Sequence, residues 1–115
     1  MKLKKICEVL DAQVLTDIPW EDVEVRSAFG CDLMSDVLAF VKDQSLLLTG
    51  LINPQVVRTA EMLDIGVIVF VRGKKPTPEM IELAKNLNII ILCTENSLYL
   101  SSGLLYKEGL AGNGE

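Results

Sequence analysis

The chain has 115 residues, 50% of them hydrophobic, with 11 lysines and arginines against 16 aspartates and glutamates and a formal net charge of −5. That length supports one hydrophobic core and is short for two, and the acidic balance argues against nucleic acid or anionic membrane as a partner, since both need clustered cations. Histidine is absent, which removes the commonest zinc ligand and the side chain most used as a base near neutral pH, so neither a metal nor a cofactor is expected.

Leu3, Ile6, Cys7 and Leu10 fall at helical spacing, predicting a short amphipathic helix over Lys2 to Leu10. Glu8 and Asp11 interrupt what would otherwise be the core of a signal segment, and no apolar run approaches the ~18 residues that span a bilayer. A soluble, cytoplasmic protein is therefore expected. A short strand is predicted at Gln13 to Thr16, a break at Ile18-Pro19-Trp20, and a second strand where Val23 and Val25 alternate with Asp22, Glu24 and Arg26.

From Asp32 to Lys42 the period changes to that of a helix. Leu33, Met34, Val37, Leu38 and Val41 lie on its core side, with Asp32, Ser35, Asp36 and Ala39 largely opposite. Ser45 to Thr49, Val67 to Val71 and Ile89 to Cys93 are short aliphatic runs, as strands buried on both faces require. Asn53-Pro54 and Thr77-Pro78 each place a capping acceptor before a proline in the first helical turn. The buried stripes of these two helices are Val56, Val57, Ala60 and Leu63, then Met80, Ile81, Ala84 and Leu87. Three strands joined by two helical crossovers imply a parallel sheet with right-handed connections. The expected fold class is a single three-layer α/β domain, its mainly parallel sheet built from repeated strand-helix units after a short N-terminal helix and strands.

A last helix is predicted over Ser97 to Lys107, with Ala111 to Glu115 fraying as a flexible tail after a domain of residues 1–110. Leu98, Tyr99, Leu100, Leu104, Leu105, Tyr106 and Leu110 are more apolar side chains than one helical face needs. A homodimer through Leu98, Leu100, Leu104, Leu105 and Tyr106 is one outlet for the surplus, and a wide seam in the chain's own core is the other.

Ligands of an open parallel sheet bind beyond the carboxyl ends of its strands. Here those ends carry Thr49, Gly50 and Asn53, then Arg72, Gly73, Lys74 and Lys75, then Thr94. Helix N-termini and the three cations offer a place for a nucleotide or another phosphorylated metabolite, although a Gly-Lys-Lys-Pro connection is also an ordinary solvated turn. A Walker A loop is ruled out, since six residues separate Gly66 from Gly73 where four are needed, and Lys75 stands where Ser or Thr would ligate magnesium.

Asp32 and Asp36, one turn apart, have the spacing to hold a cation or simply to line a solvated helix face. Glu79 and Glu82 fall on an exposed helix side. The odd count of three cysteines, without C-x-x-C spacing, suits a reducing compartment. Cys7 and Cys93 fall in core patterns, and Cys31 near a helix start is read as a small filler. No nucleophile has an identifiable base, so catalysis is not expected.

The order of elements, the segment "CDLMSDVLAF" and the block "VIVFVRGKKPTPEMIELAKNLNIIILCT" resemble the DRTGG domain family over about Lys2 to Leu110. The shared positions are Gly73, Pro76 or Pro78, Ile81, Leu83-Ala84 and Ile89 to Thr94. Where that family carries an Asp-Arg pair this chain has Asn53-Pro54, and in place of its Thr-Gly-Gly stands Val71-Arg72-Gly73. Such domains are similar to the N-terminal part of HPr kinase/phosphorylases and accompany CBS domains in regulated pyrophosphatases. The resemblance implies a non-catalytic regulatory or scaffolding role toward a partner enzyme, with a dimer interface.

Overall fold

The computed structural model describes residues 1–41 and 45–112. Helix α1 (Leu3–Leu10) and strand β1 (Gln13–Val14) lead into four strand-helix units. These are β2 (Ser27–Gly30) with α2 (Met34–Phe40), β3 (Ser45–Thr49) with α3 (Pro54–Met62), β4 (Val67–Phe70) with α4 (Pro78–Asn86), and β5 (Ile90–Cys93) with α5 (Leu98–Lys107). A short strand β6 (Ala111–Gly112) closes the described chain.

The sheet has six strands in the order β1-β5-β4-β3-β2-β6. Strands β2 to β5 and β6 run parallel, and only β1 is antiparallel. The aliphatic runs in β3, β4 and β5 are buried at every position. Alternation then divides their side chains between two cores. Leu47, Ile68, Phe70 and Ile91 meet Val37, Val56, Val57, Ala60, Met80 and Ala84 of α2, α3 and α4 on one face. Leu46, Leu48, Val67, Val69 and Leu92 meet Leu3, Ile6, Leu10 and Leu105 of α1 and α5 on the other.

Helix starts follow the capping chemistry read from the sequence. The Asn53 side chain accepts from the Gln55 amide at 2.6 Å, and the Thr77 hydroxyl from the Met80 amide at 3.3 Å. The Ser97 hydroxyl does the same for the Leu100 amide at 3.1 Å. Asp11, Asp64 and Asn88 adopt the left-handed backbone that ends α1, α3 and α4, a conformation their short polar side chains tolerate.

Three expectations change. The segment around Val23 and Val25 is extended, but it makes only an isolated bridge between Glu24 and Lys2, and the ladder strand is the next segment, Ser27–Gly30. That strand carries Ser, Ala, Phe and Gly, a composition without the β-branched signature of its neighbours. Helix α2 is shorter than predicted, with Leu33 and Leu38 exposed, because Met34, Val37 and Val41 suffice to fill the seam beneath it. Lys42 lies outside the described residues. Finally, Ala111 and Gly112 pair with Ser27 and Ala28 instead of fraying, because the ladder of β2 offers them backbone partners. Among the described residues no helix is long and apolar enough to cross a membrane.

Candidate functional site

The parallel strands β2 to β5 end on one edge, where four loops meet. After β2, Asp32 reaches across to the β3 loop, its Oδ1 accepting from the Thr49 hydroxyl at 3.0 Å and the Gly50 amide at 2.7 Å. Thr49 has 0% exposure. These groups serve the protein's own loops, and Asp32 is a strut between β2 and β3. A hydroxyl beside a carboxylate has the elements of an activated nucleophile, but a side chain with no exposed surface cannot meet a substrate.

After β4 the backbone turns left-handed twice, at Arg72 (φ 60°) and Gly73 (φ 69°). This turn aims the amides of Arg72 and Gly73 at the carbonyls of Asn96 and Thr94, each at 2.8 Å, while the Lys74 amide donates to the Val71 carbonyl at 3.3 Å. Three successive amides that would make a phosphate cradle are therefore already engaged, those of Arg72 and Gly73 in stitching the β4 and β5 loops together and that of Lys74 within its own turn. Gly73 is favoured by its positive φ, and a Cβ there would also displace the exposed Glu95 carboxylate.

Thr94 is also committed. Its buried hydroxyl donates to the Leu10 carbonyl at 2.7 Å, and the Asn96 side-chain amide donates to the same oxygen at 3.2 Å. Asn53 caps α3, as above. Of the eight ligand candidates, then, Thr49, Gly50, Asn53, Gly73 and Thr94 are engaged in holding the loops, and the three cations diverge. Lys75 lines a small cavity of about 100 Å³ with Asp11, Glu95 and Cys93. Burial, with help from Glu95, raises the Cys93 thiol above its ordinary pKa, and Lys75 pulls partly against that shift. Lys74 is exposed.

Arg72 lies on the other side, in a groove of about 720 Å³ that it shares with Gly30, Ser97, Leu98, Tyr99 and Ser102. Among the described residues its guanidinium has no ion pair or hydrogen bond. It is also the outlier among the non-glycine residues of positive φ, since the other three are Asp or Asn at helix ends. An arginine held left-handed costs about 1–2 kcal/mol, and strain of this kind concentrates at functional sites.

The surface proposed from sequence for self-association divides as well. Leu105 is 1% exposed and belongs to the core beneath α5, because its face of the helix meets the sheet. Leu98 and Leu104 are half-buried against the same core. Tyr99 at 89%, Tyr106 at 70% and Leu100 remain open. The apolar excess thus resolves into a core stripe and an exposed surface stripe. Tyr99, Tyr106 and the mid-helix Gly103 border a second groove of about 340 Å³, floored by Ala28 and Leu48 and flanked by Leu110 to Gly112. The sequence signal for it was a glycine inside a helical pattern, which no packing requirement of the helix itself explains.

Among the described residues no cluster of three or more Cys, Asp or Glu side chains is arranged to hold a metal ion.

No protein-family model matches the sequence, and no curated protein matches it. The fold is similar to a crystal structure of the CBS and DRTGG domains of the regulatory region of Clostridium perfringens pyrophosphatase, complexed with the activator diadenosine tetraphosphate. The TM-score is 0.72 at 19% identity, over 90% of this chain and 45% of that one. The likeness establishes the single α/β domain with its mostly parallel sheet, and the chain spans less than half the length of that neighbour.

Proposed function

We propose that this chain is a non-catalytic regulatory module of the DRTGG type that acts on a partner enzyme in the cytoplasm and self-associates as a homodimer. The observation that carries this reading is the open stripe of Tyr99, Leu100 and Tyr106 on α5, large apolar side chains of the kind enriched in protein interfaces. The fold shared with a pyrophosphatase regulatory region supports it. The test is sedimentation of the protein at micromolar concentration. Tyr99→Glu with Tyr106→Glu yields monomers of unchanged circular dichroism, whereas a dimer that survives both changes overturns the interface. Leu104→Glu is a poorer probe because Leu104 packs on the core.

A second reading is favoured by Arg72, strained and unpaired at the sheet edge. In it the module senses an adenine nucleotide or another phosphorylated metabolite, as the similar pyrophosphatase region was crystallised with a dinucleotide activator. A thermal-shift panel of nucleotides and sugar phosphates tests it. A ligand at 100 times its Kd stabilises the native state by about 2.7 kcal/mol, and no shift across the panel rejects the sensor.

A further inference from the structure

Three features of α5 stand outside the requirements of the fold. Gly103 lies inside a ten-residue helix, where glycine costs about 0.5–1 kcal/mol relative to alanine. No neighbour explains it, since a Cβ at Gly103 would meet nothing within 4 Å. Tyr99 and Tyr106 stand four residues before and three after it, on the same side of the helix, and all three border one groove. That groove continues into the one holding Arg72, because Tyr99 and Ser102 line both. The result is a furrow along α5 that is apolar and aromatic at one end and cationic at the other. Its two parts, about 340 and about 720 Å³, fall in the range of small-molecule sites.

From this geometry we infer that the furrow binds a planar aromatic ring carrying an anionic group, the ring over Gly103 between Tyr99 and Tyr106 and the anion on Arg72; this rests on the sensor reading. An aromatic ring is matched to tyrosine faces by stacking, and a phosphate to a guanidinium that has no other partner. The absent side chain at Gly103 leaves the floor open. Nucleoside monophosphates meet both demands. Tyr99 and Tyr106 also carry the surface proposed for self-association, so occupancy and association are linked equilibria.

The probes are adenosine 5′-monophosphate, adenosine and inorganic phosphate, titrated calorimetrically into the full chain, with guanosine monophosphate and phenyl phosphate as alternative ring carriers. The monophosphate is expected to bind at least tenfold more tightly than either fragment. Gly103→Leu, which fills the furrow, weakens it tenfold or more. Arg72→Gly removes the cation and relieves its backbone, and it weakens the monophosphate while leaving adenosine unchanged. Gly103→Ala is the folding control and unfolds at higher urea than the parent. Should a nucleotide bind with Gly103→Leu having no effect, the furrow is overturned while the sensor reading stands. If none of the ring phosphates binds but another ligand of the thermal-shift panel does, the furrow assignment falls alone. Both fall if nothing binds. Loss of self-association in Gly103→Leu without any nucleotide binding assigns the furrow to a second copy and also overturns the inference.

Discussion

The two faces of the sheet are finished differently. One is tiled by α2, α3 and α4, each following its own strand, and its seams close over Phe70, Ile68 and Ile91. The other is covered by α1 and α5, the latter running back from the end of β5 toward β6, and it leaves a furrow beside α5. Consecutive strand-helix units fill a face efficiently because each helix packs on the strands that flank it in sequence. A returning helix must cross several strands at once, and space remains where its small residues pass. Binding chemistry is then expected on the face that packs less completely.

Truncation gives the largest test of that contrast. Phe70→Ala on the tiled face is expected to cost about 3–5 kcal/mol in urea denaturation, whereas Tyr106→Ser on the furrowed face changes monomer stability by less than about 0.5 kcal/mol. Comparable losses at both positions would mean that Tyr106 is part of the core. Two glycines sharpen the contrast at smaller scale. Gly73→Ala meets Glu95 and a left-handed backbone and is expected to lose about 1–2 kcal/mol. Gly103→Ala enters open space and gains about 0.5–1 kcal/mol. A loss at Gly103 would show that the furrow is closed in solution.

A further effect is a pH dependence at α1. Burial, and after it the neighbouring Glu8, pushes the Cys7 thiol up to about 11 from its ordinary 9.0. The unfolded chain therefore releases this proton first, and stability present below pH 9 declines as pH rises toward 11. Cys93 shifts in the same direction. The urea midpoint should fall between pH 8 and pH 10.5, and less so in Cys7→Ala. A midpoint that is flat over this range contradicts the shift.

Much of the tiled face was legible in the sequence, because its information is local. The aliphatic runs of β3, β4 and β5 and the caps Asn53 and Thr77 each lie within a few residues of what they determine. Strands β2 and β6 were not legible, since Ser27–Gly30 and Ala111–Gly112 gain their conformation from pairing with distant segments. The candidate site was legible only in part. Arg72 was expected after β4 at the carboxyl edge of the sheet and lies there, but the commitment of its loop amides to Asn96 and Thr94 is a tertiary fact. So is the meeting of Arg72 with Tyr99, which needs α5 to fold back over the sheet. The surplus of apolar residues on α5 was visible, whereas its division between Leu105 below and Tyr106 above was not.

The way the sheet is closed at its margins has a kinetic consequence. Inner strands join through consecutive units, but β1 and its helix are fastened to β5 by Thr94 to Leu10, 84 residues apart, and by Ile91 to Thr16, 75 apart. Strand β6 likewise joins β2 from the far end of the chain. Contacts so remote in sequence form late, after the loop-closure entropy between them has been overcome. The margins are therefore expected to be among the last parts to assemble. Ala111 and Gly112 line the furrow as well as pairing with β2. Slowed exchange of their amides then reports any molecule seated beside α5, without a label on the helix itself.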